Sequence, residues 1–143
     1  MDDLYSVDGL ELVVAQSPDG TTTHEVWIGD SSGTLSLFTE LTDIETRDGQ
    51  TISVAIDPAR MINQVRIRTI RSPSWVGWRE IRVYEQLGSR PTVTTTPTSI
   101  STGRNVAPFG STFAELRDDI SRNAIDGDLE TIWESGAPPA QQI

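Results

Sequence analysis

The sequence predicts an all-β protein of antiparallel strands, a sandwich or a barrel. Three observations carry that expectation. Apolar residues recur at every second position over most of residues 10–83. The alternating runs are short and are stopped by Gly, Pro and Asp. Two of the later runs set an apolar face against an arginine face, as strands do when one side covers a core.

Leu10-Glu11-Leu12-Val13-Val14-Ala15 reads as the first strand and ends at the turn Ser17-Pro18-Asp19-Gly20. His24-Glu25-Val26-Trp27-Ile28 is the second, closed by Gly29-Asp30-Ser31-Ser32-Gly33. Leu35 and Leu37 alternate with Ser36 in the third. After the turn Arg47-Asp48-Gly49-Gln50, Ile52, Val54 and Ile56 alternate with Ser53 and Ala55. Val65 and Ile67 then alternate with Arg66 and Arg68, and Ile81 and Val83 with Arg82. The expected core comprises Leu12, Val14, Val26, Ile52, Val54, Val65, Ile67, Ile81 and Val83. Trp27 and Trp133 are also expected inside. Composition shifts at Gly88, where residues 88–103, rich in Thr and Pro, read as an extended linker or an edge strand. Beyond it, Phe113, Leu116, Ile120 and Ala124 fall at helical spacing, with Ser111 as a cap and no capping box.

With 143 residues, the chain fits one domain that can bury a core without staples. It has no cysteine, so neither a disulfide nor a thiol nucleophile enters the argument. Its formal net charge is −10, and every basic residue is an arginine. Such a surface repels phosphate backbones and anionic membranes but suits solubility, calcium and neutral polar ligands. Met1-Asp2-Asp3-Leu4 lacks the basic and apolar regions of a signal peptide, so an export signal is expected to lie outside this chain. Enzymatic chemistry finds little support. There is a single histidine, His24, no lysine, and no G-x-S-x-G elbow; no pair among the 21 acids stands out.

Two segments carry a family resemblance. Asn123-Ala124-Ile125-Asp126-Gly127-Asp128-Leu129-Glu130-Thr131-Ile132-Trp133 joins an Asp-Gly-Asp turn to Thr-x-Trp. Val65-Arg66-Ile67-Arg68-Thr69 leads through Ser72-Pro73-Ser74-Trp75-Val76-Gly77-Trp78 to Glu80-Ile81-Arg82-Val83-Tyr84. Together these resemble the discoidin, or coagulation-factor V/VIII type C, domains, which include galactose-binding-like carbohydrate modules. In that family the Asp-Gly-Asp turn comes first and Glu-Ile-x-Val-Tyr last. Here residues 4–86 resemble the family's C-terminal portion and residues 104–143 its N-terminal portion, in permuted order. The chain then reads either as a circular permutant or as a slice of a tandem array. Its halves would be completed within one chain or by exchange in a homodimer.

The resemblance implies an antiparallel sandwich of the jelly-roll type, in a secreted or surface-displayed, non-catalytic module that binds a glycan or cell-surface polysaccharide. A structural or adhesive spacer that contacts protein and binds no sugar is the alternative. The resemblance further implies structural calcium held by Asp126, Asp128, Thr131, the carbonyl of Asn123 and Glu80; the other reading is an Asp-rich turn without metal. Trp75 and Trp78 flank Val76-Gly77 on the loop before the last strand, where a ring could stack on a pyranose, or else fill the core. Arg71 and Arg79 could donate to sugar hydroxyls, and His24 could join them.

Overall fold

The computed structural model describes residues 3–86, 103–115 and 117–136. It is all-β, as the alternation predicts: two antiparallel sheets face each other, and the strands extend further than their apolar cores. The strands are β1 (Tyr5–Val14), β2 (Gly20–Gly29), β3 (Leu35–Thr46), β4 (Thr51–Ile62), β5 (Gln64–Arg71), β6 (Gly77–Glu85), β7 (Arg104–Asn105) and β8 (Trp133–Glu134).

One sheet runs β4-β1-β6, with the short strands β7 and β8 both hydrogen-bonded to β6. β7 pairs with its C-terminal end, Tyr84 and Glu85, and β8 with its N-terminal end, Gly77 and Trp78. Since β1 occupies the other side of β6, β7 and β8 share one edge of it, one after the other. The second sheet runs β3-β2-β5. The segment that follows the Thr/Pro-rich stretch thus docks on β6 of its own chain. Most of that stretch lies outside the described residues.

The core forms where the inward alternates of both sheets meet. One cluster gathers Val7, Leu10, Val26, Ile28, Val54, Ile56, Ile62 and Val83, with Val106, Ala107 and Ile125 from the C-terminal segment. A second gathers Leu12, Val14, Ile52, Trp78 and Ala124. Of the expected core, Leu12, Val14, Val26, Ile52, Val54 and Val83 are buried, while Val65, Ile67 and Ile81 are partly buried against the clusters.

Two expectations need correction. Trp27 is not a core residue. Val26 and Ile28 point inward, so the pleat turns Trp27 to the outer face, where it is half-buried. No α-helix starts at Ser111 either. Residues 111–115 are irregular, Phe113 is 84% exposed, and the next regular element is a 3-10 segment at Asp118–Ala124. Arg117, just before it, has φ 53°, a left-handed conformation that interrupts a right-handed helix. Leu116 lies outside the described residues. Another short 3-10 turn covers Ala107–Phe109.

Candidate functional site

The register brings three connections to one end of the sandwich. β1 ends beside the start of β4, through Val13 opposite Thr51, and beside the start of β6, through Val14 opposite Trp78. β2 starts beside the end of β3, through Gly20 opposite Thr46, and beside the end of β5, through Thr23 opposite Arg71. The β1–β2 loop, the β3–β4 turn and the β5–β6 loop therefore crowd together. The turn at residues 126–131 joins them because Arg79 bridges it to the β3–β4 turn. Its Nε and Nη2 donate to Asp48 Oδ1 and Oδ2 at 3.1 and 2.7 Å, and its Nη1 donates to the Leu129 carbonyl at 3.0 Å. Asp48 is held below the usual carboxylate range chiefly by these hydrogen bonds. Gly77 locks the same region. A Cβ there would lie 2.8 Å from the Ala15 carbonyl oxygen and 3.2 Å from that of Trp133, so only glycine lets the β1–β2 loop and β8 close on β6.

Four of the five residues expected to implement metal binding converge on one hydroxyl. Thr131 Oγ1 lies 3.1 and 2.9 Å from the two Asp126 carboxylate oxygens. It also lies 2.9 Å from the Asp128 carbonyl and 3.4 Å from the Asn123 carbonyl. A hydroxyl has one proton, so these four oxygens outnumber the donor they surround. The Asp128 contribution is its carbonyl; its carboxylate accepts from the Glu130 amide at 2.9 Å.

Glu80, the fifth, is fully buried, and neither carboxylate oxygen has a hydrogen-bond partner. Burial pushes its pKa up and the nearby Asp126 charge adds to this. The Gly127 amide and Arg82 oppose the shift without closing a hydrogen bond to either oxygen. An orphaned buried carboxylate beside an oxygen-rich turn fits a hard cation, which takes carboxylate, carbonyl and hydroxyl oxygens together. Of the three acids in this set, Asp126 presents its carboxylate to Thr131, and Glu80 is buried close enough to Asp126 to feel its charge. Among the described residues no group of three or more His, Cys, Asp or Glu side chains gathers around one point.

The residues expected to contact ligand separate into two kinds. Trp78 is 3% exposed and lies in the core, and His24 is equally buried against it, with ring centroids 5.1 Å apart. His24 is an inward alternate of β2, and a register shift at the start of β6 turns Trp78 inward as well, so both lie between the sheets. The His24 Nδ1 sits 2.9 Å from Thr69 Oγ1, its Nε2 is buried without a partner, and burial lowers its pKa to about 4. Arg79 is committed to Asp48 and Leu129. Trp75 and Arg71 remain at the surface: Trp75 is 51% exposed, and Arg71 donates to Asp43 Oδ1 at 2.8 Å with both side chains mostly in solvent.

A polar cleft opens at the same end, lined by Asp19, Glu45, Thr46, Arg47 and Gln50. The loop that carries Trp75 borders it, since Pro73 packs against Gly20, the residue after Asp19. Sequence reasoning read Asp19, Arg47, Asp48 and Gln50 only as turn formers. Their convergence depends on strand register, which no local pattern encodes. Comparison with protein-family models, with curated proteins and with solved structures returned no match.

Proposed function

We propose that the chain is a non-catalytic binding module of the discoidin kind, working outside the cell, that takes carbohydrate at its loop end and uses calcium as a structural element. The observation that carries the binding reading is Trp75, a half-exposed indole on the loop whose Pro73 packs against Gly20, next to Asp19 of a cleft that mixes carboxylate, guanidinium, hydroxyl and amide groups. A pyranose has an apolar ring face and a rim of hydroxyls, so an aromatic ring next to mixed donors and acceptors matches it. Among the described residues no helix is long and apolar enough to cross a membrane.

The calcium reading rests on the orphaned Glu80 carboxylate and the acceptor-rich surroundings of Thr131. Glu80, Asp126, Thr131 and the carbonyls of Asn123 and Asp128 would hold the ion. Bound there, it would supply positive charge to the Glu80 carboxylate, which lacks donors, and tie the turn at residues 126–131 to β6. Its role would be to fasten the C-terminal segment.

A protein-contacting spacer is the second reading. It is favoured by the burial of His24 and Trp78 and by the ion pairing of Arg71 and Arg79, which leave Trp75 as the one expected contact residue without a polar or core commitment. A glycan array with calcium-loaded protein, run beside Trp75→Ala, decides between them. Binding to a sugar class that the variant loses supports the module. A folded protein that binds no glycan supports the spacer. Light scattering on the same samples tests exchange of halves, because a dimer persisting at high dilution would mean that each site is completed by a second copy.

A further inference from the structure

The outer face of the three-stranded sheet gathers aromatic and charged side chains outside the loop end. Two adjacent cross-strand rows define it. In one row, Trp27 on the central strand β2 stands opposite Leu37 on β3 and Arg66 on β5. In the next row, Glu25 stands opposite Glu40 and Arg68. These residues alternate with inward-facing Val26 and Ile28, so both rows lie on the side away from the core.

This face combines an oriented aromatic ring, facing carboxylates and a guanidinium without a protein partner among the described residues. A tryptophan occupies the centre of a solvent-side row, flanked by Leu37 at 48% exposure. Its indole Nε1 donates to Glu25 Oε2 at 2.8 Å, which fixes the orientation of the ring. Glu25 and Glu40 stand directly opposite one another, an arrangement of like charges that costs stability in a sheet. Arg68 reaches Glu25 only at 3.5 Å, while Arg66 has no hydrogen bond or ion pair among the described residues.

The geometry points to this face as a binding platform for a neutral oligosaccharide, with a pyranose against Trp27, Arg66 donating to its hydroxyls and Glu40 accepting from them. The reasoning is chemical complementarity. An oriented indole offers an apolar surface, an uncommitted guanidinium offers donors in a fixed fork, and a carboxylate offers acceptors. Only a ligand that is both donor and acceptor around an apolar ring uses all three. A polyanion would meet Glu25 and Glu40 in a chain of net charge −10. The platform shares its ligand class with the loop-end reading but uses none of its residues.

The test is indole NMR on the full chain, whose four tryptophans report separately. The probes are hexasaccharides of β-1,4-glucan, β-1,4-mannan and β-1,4-xylan, with polygalacturonate as the anionic arm. The expected result is a shift of the Trp27 Nε1–H signal by a neutral hexasaccharide. Trp27→Ala should weaken that binding about tenfold, Arg66→Ala less, and Trp75→Ala not at all. Trp27→Phe, which keeps an aromatic ring, should retain most of it, and circular dichroism checks that each variant is folded. Movement of the Trp75 signal alone would overturn the platform and leave the loop-end site standing. Movement of Trp27 alone would do the reverse. If neither moves, both fall, and a Trp27 response to polygalacturonate only would overturn the neutral-sugar assignment.

Discussion

The two sheets differ most on the sides turned away from the core. On the three-stranded sheet the outward alternates Glu25, Trp27, Arg66 and Arg68 are half-buried or exposed. On the five-stranded sheet the outward alternates Glu11, Val13 and Glu80 are 7, 4 and 0% exposed. β1 is consequently buried on both faces along most of its length, whereas its other neighbour β4 alternates between exposed and buried from Thr51 to Ile56. The difference lies in what must be satisfied. Glu11 solves its burial with Arg82 Nη1 at 3.0 Å and Tyr84 Oη at 2.8 Å. Glu80, on the same face, has no such partners. A covered face leaves a carboxylate either paired with protein donors or unpaired at a cost; an open face lets water satisfy it.

Acid titration should separate the interior from the covered face by sign. His24 has an ordinary pKa of 6.5 when unfolded and about 4 in the fold. The unfolded chain therefore takes up its proton first as pH falls. The stability this contributes is complete above pH 6.5 and is lost progressively down to about pH 4, roughly 3 kcal/mol in all. Glu80 runs the other way. Its pKa is raised in the fold, so without metal the folded state holds the proton longer, and stability falls as pH rises past the ordinary glutamate value of 4.5. Urea unfolding in a chelator between pH 4 and 7 should show a shallower acid slope for His24→Asn and a steeper one for Glu80→Gln.

Calcium should next distinguish the covered face from the open one. At a free concentration of 100 times Kd, it should stabilise the protein by about 2.7 kcal/mol, read as a higher melting temperature than in chelator. Glu80→Gln should abolish that rise, and its metal-free form should melt above metal-free wild type because a buried charge has been removed. An unchanged melting temperature on adding calcium to wild type would return the turn at residues 126–131 to a plain Asp-rich turn.

Smaller effects sharpen the contrast further. Val13 points away from the core yet is covered, so Val13→Ala should cost about 2 kcal/mol, like a core truncation. Leu37 points outward from the other sheet and is half-exposed, so Leu37→Ala should change stability by less than about 0.5 kcal/mol. Equal losses from the two variants in chemical denaturation would break the distinction between the faces.

Much of the strand layout was legible because alternation and turn chemistry are local. Asp19-Gly20 and Asp48-Gly49 mark real connections, and Leu12, Val26 and Val83 fall inside as their spacing requires. The acid turn was legible as a motif, and three of its oxygens, with the Asn123 carbonyl, do converge on Thr131. Trp27 faces outward against expectation, His24 is buried, and for Trp78 the core alternative holds; a pleat tells which residues share a face and not which face is covered. Trp78 also sits at a register shift between Val13 and Val14, where counting by two fails. The helix expected from Phe113, Leu116, Ile120 and Ala124 did not form because spacing alone does not bury a face, and Phe113 is left 84% exposed.

By itself the sequence determined an acidic, cysteine-free, all-β chain with its strands in order and an Asp-Gly-Asp turn distant from Glu80. Periodicity, turn residues and charge are properties of neighbouring positions, and they survive without a partner strand. Tertiary structure alone decided that Glu80 lies buried beside that turn, that Arg79 ties it to Asp48, and that Trp27 faces outward while Trp78 faces in. Each of those depends on which strand lies next to which and what covers it, and burial is a property of the whole packed chain.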